Sequence, residues 1–373
     1  MRYSSETTCD RRRNRLILNL TRTLKLTIVA LAFMTGASLA AAEGDLLDVR
    51  DSTTEPVKVI FDTDIGGDID DVFALALLHV FQDRGVSELL AVTTTNRSPE
   101  APRFVAAINS QFGRPEIPVG IGSVGGRVDD NYLSAITKQT QKFPVPDGFQ
   151  ALDAIQLLRQ NLAAAQDKSV VVVQVGFSSN LAALLDSPAD AISDLPGDEL
   201  VAKKVRLLSV MGGGFSLDKS VDSRYYGEIC EWNIANDVPA AQKIAREWPS
   251  PIVFSGAEVG DRIRMSPVSL KNDYKGRGEI LRDAYLAWAR SCAPDEGLDH
   301  ARPTWDLTSV FFVLRPEEGR EYFDLSAPGR VDFDDKGKTL FIPDARGTRR
   351  VFLIDQGAAI RVREAFVNLC AEP

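Results

Sequence analysis

From residue 57 onward the chain alternates between two hydrophobic patterns. Short runs of near-continuous Val, Ile and Leu stand between longer segments whose apolar residues recur at a helical period. The runs Val57–Phe61, Leu89–Thr94, Pro118–Ile121, Val170–Val175, Val205–Met211 and Ile252–Phe254 predict strands. The segments Val72–Phe81, Pro102–Phe112, Ala151–Ala165, Leu181–Leu185, Pro239–Trp248 and Gly278–Ala289 predict helices. Strands apolar on both faces, separated by such helices, mean a mostly parallel sheet covered by helices on both sides. The fold class is therefore α/β, with ligands expected at the carboxyl ends of the strands. The tail breaks this rhythm. Arg330–Phe333, Thr339–Ile342 and Arg349–Leu353 read as a small antiparallel C-terminal β-extension, and Ala358–Leu369 as a closing helix. No repeat or linker divides residues 57–373, which read as a single domain.

The first 56 residues follow another logic. Arg11, Arg12, Arg13, Arg15, Arg22 and Lys25 precede the apolar run Leu26–Met34, and small residues follow at Ala37–Ala42. A positive segment, a short apolar segment and an A-x-A site describe a cleaved secretory signal over residues 1–42. The apolar run falls short of the roughly 20 residues that span a bilayer. Residues 43–56, polar and acidic, read as a flexible lead-in. The protein is thus expected to be exported, periplasmic or secreted, with no membrane attachment after cleavage. The full chain of 373 residues carries a net charge of −9. Residues 1–42 hold seven basic and two acidic side chains, so the remainder carries −14. Such an acidic body excludes nucleic acid as a partner, because binding it needs basic surface. Cys230, Cys292 and Cys370 remain after cleavage; they match no zinc spacing and allow at most one disulfide.

The chemistry concentrates at the end of the first strand. Phe61-Asp62-Thr63-Asp64-Ile65-Gly66-Gly67-Asp68-Ile69-Asp70-Asp71 places five carboxylates within ten residues, where a buried strand gives way to an apolar helix. Carboxylates that close raise one another's pKa unless a cation neutralises them. A hard divalent ion with oxygen ligands, Ca²⁺ or Mg²⁺, answers that need. An EF-hand is excluded, since Phe73 stands at the twelfth position where that loop requires Glu. A phosphatase of the haloacid dehalogenase type uses an Asp-x-Asp pair after its first strand, yet does not require Asp68, Asp70 and Asp71.

This cluster resembles the amino-terminal motif of the inosine–uridine preferring nucleoside hydrolase family, usually Asp-x-Asp-Pro-Gly-x-Asp-Asp. Here the motif is the longer variant, with two extra residues and Ile65 in place of proline. Further segments match in order: Val92-Thr93-Thr94-Thr95-Asn96, Val175-Gly176-Phe177-Ser178-Ser179-Asn180, Met211-Gly212-Gly213 followed by Glu231-Trp232-Asn233, and Trp305-Asp306. The resemblance implies a Rossmann-related nucleoside hydrolase fold and hydrolysis of the N-glycosidic bond of ribonucleosides, small-molecule substrates, to free base and ribose. It implies Ca²⁺ held by Asp64, Asp71, the Ser179 carbonyl and Asp306, with Asp64 also the general base. Asp70, Asn96, Glu231 and Asn233 would grip the ribose, and Asp62 would orient the cluster. Asp68 lies in the insertion without an assigned part. A homo-oligomer is expected on the same ground.

Departures from the family pattern bear on the base. A histidine often precedes the last aspartate; here Trp305 does, as in the purine-specific branch, where the base stacks on indole. The reading is therefore purine-leaning, with Trp305 a substrate-binding residue. His79 follows the helix face and is expected to be structural; His300, near Trp305, is a weaker catalytic candidate. Tyr225 or Tyr226 stands where the family's asparagine for the 5′-hydroxyl would fall. These departures leave two alternatives: a non-catalytic calcium-dependent protein that binds nucleosides or sugars, and a hydrolase of a modified N-riboside.

Overall fold

The computed structural model describes residues 55–215, 230–314, 322–353 and 356–371. The expected signal at 1–42, residues 43–54 of the expected lead-in, Tyr225 and Tyr226 lie outside these. The strands are β1 Val57–Thr63, β2 Ser87–Thr94, β3 Val119–Ile121, β4 Leu152–Asp153, β5 Val170–Gln174, β6 Val205–Met211, β7 Ile252–Ser255, β8 Asp324–Leu325, β9 Gly329–Phe333, β10 Thr339–Pro343 and β11 Arg349–Leu353. They form one sheet in the order β10-β9-β11-β7-β6-β5-β1-β2-β3-β4, with β8 beside β11. Every pairing from β4 through β1 to β7 is parallel. The reason is visible in β5, whose residues Val-Val-Val-Val-Gln are buried on both faces, as only a helix-covered parallel strand is.

Chain order reverses about β1. The chain runs outward through β2, β3 and β4, then returns to lay β5 on the other flank of β1. Phe61 is thus registered with Val92 on one side and Val173 on the other. A crevice opens at such a reversal, beyond the carboxyl ends of the two strands. The residues after β1 are the aspartate cluster, and those after β5 are the Val175–Asn180 turn.

Three details refine the sequence reading. The helix expected at Val72–Phe81 spans Asp70–Asp83, so Asp70 and Asp71 form its first turn, where the helix dipole favours negative charge. The C-terminal strands form the expected small antiparallel extension, β9 pairing with both β10 and β11. On its other side β11 pairs parallel with β7, which joins the extension to the main sheet. Buried Arg349 fixes that edge by donating to the carbonyls of Ala245, Trp248 and Ser250, around the end of the helix Val238–Glu247. Third, Trp305–Leu314 is a helix that periodicity could not signal, because it is buried on every side and carries no solvent-facing polar stripe. It lies buried against the Asp70–Asp83 helix and β6, and the Ser209 hydroxyl donates to the Ser309 carbonyl at 3.0 Å.

His79 sits in the Asp70–Asp83 helix as the face pattern implies. It is buried, hydrogen-bonded through Nε2 to Asn109 Oδ1 at 2.9 Å, and stacked on Phe112. Burial lowers its pKa from 6.5 to about 3, so it stays neutral. Among the described residues no helix is long and apolar enough to cross a membrane.

Candidate active site

β1 ends as it delivers Asp62, Thr63 and Asp64 into the crevice. Asp62 is buried beneath the site; its Oδ1 accepts from Thr93 Oγ1 at 2.5 Å and Asn180 Nδ2 at 2.8 Å, while Oδ2 has no partner. Burial raises its carboxyl to about 7. Thr63 Oγ1 donates to Asp71 Oδ1 and accepts from the Ile65 amide, folding the loop back over its own strand. Gly66, at φ +126°, allows the sharp turn that follows.

Side chains from two helix starts then converge. Carboxylate oxygens of Asp70, Asp71 and Asp306 lie within 4.8 Å of one another, all buried. Asp70 Oδ2 also accepts from the amides of Trp305 and Asp306, at 2.9 and 3.1 Å, and so caps the helix that carries Asp306. Asp70 is raised to about 7 by burial and then by the charge of Asp68. Asp64, Asp71 and Asp306 are raised as well, each by burial first, then by Asp70 for Asp64 and Asp306 and by Asp64 for Asp71. This mutual repulsion in a buried, oxygen-only donor set is what a hard divalent cation relieves.

These residues line a cavity of about 600 Å³. Asp64, Asp70, Asp71 and Asp306 form its floor, and Glu231 and Asn233 stand in its wall. Glu231 caps the short helix Trp232–Asn236: Oε1 accepts from the Asn233 amide at 2.8 Å, and Oε2 from those of Ile234 and Gly213 at 3.1 and 3.2 Å. Burial raises its pKa. Asn233 Nδ2 donates to the Val175 carbonyl at 2.9 Å, which pins it beside β5.

Not every expected residue reaches the cavity. Asn96, expected to contact substrate, commits its whole amide to backbone: Nδ2 donates to the carbonyls of Ile65 and Asp129, and Oδ1 accepts from the amides of Ser98 and Asp129. It ties two rim loops together and does not line the cavity. Ser179 begins the helix Ser179–Leu185, buried and also outside the lining. Its turn still touches the cluster, since a Cβ on Gly176 would lie 2.4 Å from the Asp64 amide. Gly176→Ala is therefore expected to push Asp64 out of place and lower kcat by about 10²-fold, the effect of an ångström-scale misplacement. Steady-state kinetics beside circular dichroism checks this, and unchanged kcat would refute it.

Trp305 lines the cavity with its indole fixed: Nε1 donates to the Ala257 carbonyl at 3.0 Å, and Gly260 packs against the ring. Residues missed in the sequence complete this side. Asp68 pairs with Arg302 through two hydrogen bonds, to Nε at 3.1 Å and to Nη2. The Arg302 guanidinium lies 4.7 Å from the Trp305 ring centre and 5.2 Å from that of Trp288. A half-buried carboxylate beside four other acids favours a counter-charge, and that requirement was the available signal for Arg302. His300 also lines the cavity, with Nδ1 at 3.1 Å from Glu296 and its ring on Trp288. All three described cysteines are free; Cys230 and Cys292 line the cavity, and Cys370 is buried.

Known proteins share this fold. The structure resembles a plant nucleoside hydrolase at 22% identity and TM-score 0.63, over 85% of this chain and 100% of that one. It resembles the inosine-uridine preferring nucleoside hydrolase of Bacillus anthracis at 17% identity and TM-score 0.59, over 84% and 99% of the two chains. The purine-preferring ribonucleoside hydrolase of Gardnerella vaginalis matches at 19% identity and TM-score 0.60, again over 84% and 99%. At these identities the likeness establishes the shared fold. No curated protein sequence matches significantly. The profile of the inosine-uridine preferring nucleoside hydrolases, however, matches residues 59–362, most of the chain. The chain therefore belongs to the inosine-uridine preferring nucleoside hydrolase family.

Proposed function

We propose that this nucleoside N-ribohydrolase is calcium-dependent and favours purine ribonucleosides. The observation that carries the reading is the convergence of Asp70, Asp71 and Asp306 on the cavity floor, opposite Glu231 and Asn233. Asp71, Asp306, Asp64 and the Ser179 carbonyl would hold Ca²⁺, with Asp70 close enough to join them or to take a ribose hydroxyl. When bound, the ion supplies orientation of hydroxyls and water at the anomeric carbon. The protein's own residues do the rest. Asp64, ionised once a cation offsets the repulsion of its neighbours, accepts the proton of the attacking water. Glu231 and Asn233 fix the sugar in position for attack. The surrounding carboxylates stabilise the positive charge that develops on the ring as the C1′–N bond lengthens.

Purine preference is supported by the half-buried indole of Trp305 in the cavity wall, an aromatic surface against which a bicyclic base can pack. Export, on the strength of residues 1–42, belongs to the same proposal. The test is release of free base from a panel of purine and pyrimidine ribonucleosides, with and without a calcium chelator. Chelator-sensitive release, fastest for purines, is expected. A protein that binds nucleosides without releasing base would instead be the calcium-dependent binder.

A further inference from the structure

We propose that His300 is the general acid of the reaction, protonating the leaving base as the glycosidic bond breaks. The inference rests on the hydrolase reading above and adds a part that reading lacks. A bond forms between water oxygen and C1′ while the C1′–N bond breaks, and the water proton passes to Asp64. The electron pair of the broken bond stays with the base, which takes a proton from the His300 imidazolium and departs neutral. Solvent then reprotonates the imidazole. Trp305 fills the position before Asp306 where a family histidine often stands, so the donor has to be sought elsewhere along the wall.

His300 has the placement for this part. It lines the cavity on the side of Trp305, to which a chain of contacts connects it. Its ring centre lies 5.6 Å from that of Trp288, and the Arg302 guanidinium touches both Trp288 and Trp305. Its backbone is fixed by Tyr285, whose hydroxyl donates to the His300 carbonyl at 2.6 Å and accepts from the Arg302 amide at 3.1 Å. Nδ1 lies 3.1 Å from Glu296 Oε2, and Nε2 has no partner among the described residues. A carboxylate on one ring nitrogen fixes the ring and its tautomer, and leaves the other nitrogen to give and regain a proton.

The groups around His300 do not supply the proton. Arg302 stays charged, with Nε and Nη2 on Asp68, and a guanidinium does not give up a proton in a protein. The Tyr285 hydroxyl is committed to backbone, and burial pushes it up to about 12. Cys292, four positions after Trp288 on the helix Glu279–Cys292, has its thiol raised by burial and then by Asp68, which makes it a poor acid. Asp299 pairs with Lys271. His79 is buried on Asn109 and Phe112, away from the cavity. That leaves the Glu296–His300 pair as the acid of this wall.

The test compares the calcium-loaded protein with its His300→Gln and His300→Ala variants, their folding checked by circular dichroism. The substrates are inosine and 4-nitrophenyl β-ribofuranoside, whose nitrophenolate leaves without a proton. His300→Gln should lower kcat on inosine by about 10²-fold, the contribution of a positioned general acid, and lower the nitrophenyl reaction far less. Imidazole added to His300→Ala should restore part of the inosine rate, which a packing role would not allow. Equal losses on both ribosides would mean that His300 only packs the wall, and undiminished inosine turnover would leave protonation to solvent; either overturns the proposal. A wild-type protein inert toward both ribosides would remove the hydrolase reading itself, and this proposal with it.

Discussion

Asparagine in place of Asp64 is expected to lower kcat for ribonucleoside hydrolysis by about 10²–10⁴-fold, the contribution of a positioned general base. Asp64 follows directly on β1, and its backbone is wedged against Gly176, so the side chain has a defined origin. Without metal, burial and then the neighbouring Asp70 raise its pKa; a cation held by the same carboxylates offsets that repulsion and leaves Asp64 ionised, able to accept a proton. Asparagine keeps the shape and removes the proton acceptor. Binding of substrate should survive better than turnover, so the variant is assayed at saturating Ca²⁺ with kcat and KM reported separately. A variant with wild-type kcat would eliminate Asp64 as the base.

Stripped of metal, the protein should become less stable as pH rises, the reverse of what most acidic proteins do. Asp62 and Asp70 ionise at about 7 in the fold against an ordinary 3.8, and Asp64, Asp71 and Asp306 are shifted in the same direction. A raised folded-state pKa means the protonated form favours folding. That contribution is complete below pH 3.8 and lost as pH climbs through about 7. Calcium at 100 times its Kd adds about 2.7 kcal/mol, so Tm near neutrality should rise by roughly 5–10 °C. Asp306→Asn should raise the Tm of the chelated protein at pH 8 and abolish the calcium-dependent increase. Differential scanning fluorimetry across pH 5–8, with and without chelator, decides the matter. A chelated Tm that is flat with pH and indifferent to calcium would contradict the assignment of the cluster.

The parallel sheet was legible because its central strands are buried on both faces and therefore unbroken in hydrophobicity, Val170–Val173 most clearly. The aspartate cluster was legible because five acids between a buried strand and an apolar helix have no structural use. Other features were hidden for identifiable reasons. Trp305–Leu314 is buried on every side, so no alternation of apolar and solvent-facing polar residues marks it as a helix. The pairing of β11 with β7 depends on Arg349 reaching carbonyls about a hundred positions earlier, which no local pattern encodes. Asn96 has the residue type of a substrate ligand, and only the positions of Ile65, Ser98 and Asp129 show where its amide goes. Arg302 and Asp68 lie 234 positions apart, and neither predicts the other alone.

The cap that Asp70 places on the amides of Trp305 and Asp306 spans 235 and 236 positions of sequence. A contact that distant closes only after most of the intervening chain has been laid down and collapsed, since long loops are costly to shut before their partners are in place. The carboxylate floor is thus a late product of folding, and the cation it is built to accept would act on a finished topology instead of nucleating one. Refolding in calcium should accordingly slow unfolding more than it speeds folding. A nascent chain released before Asp306 has emerged would hold most of the sheet and none of the completed metal floor.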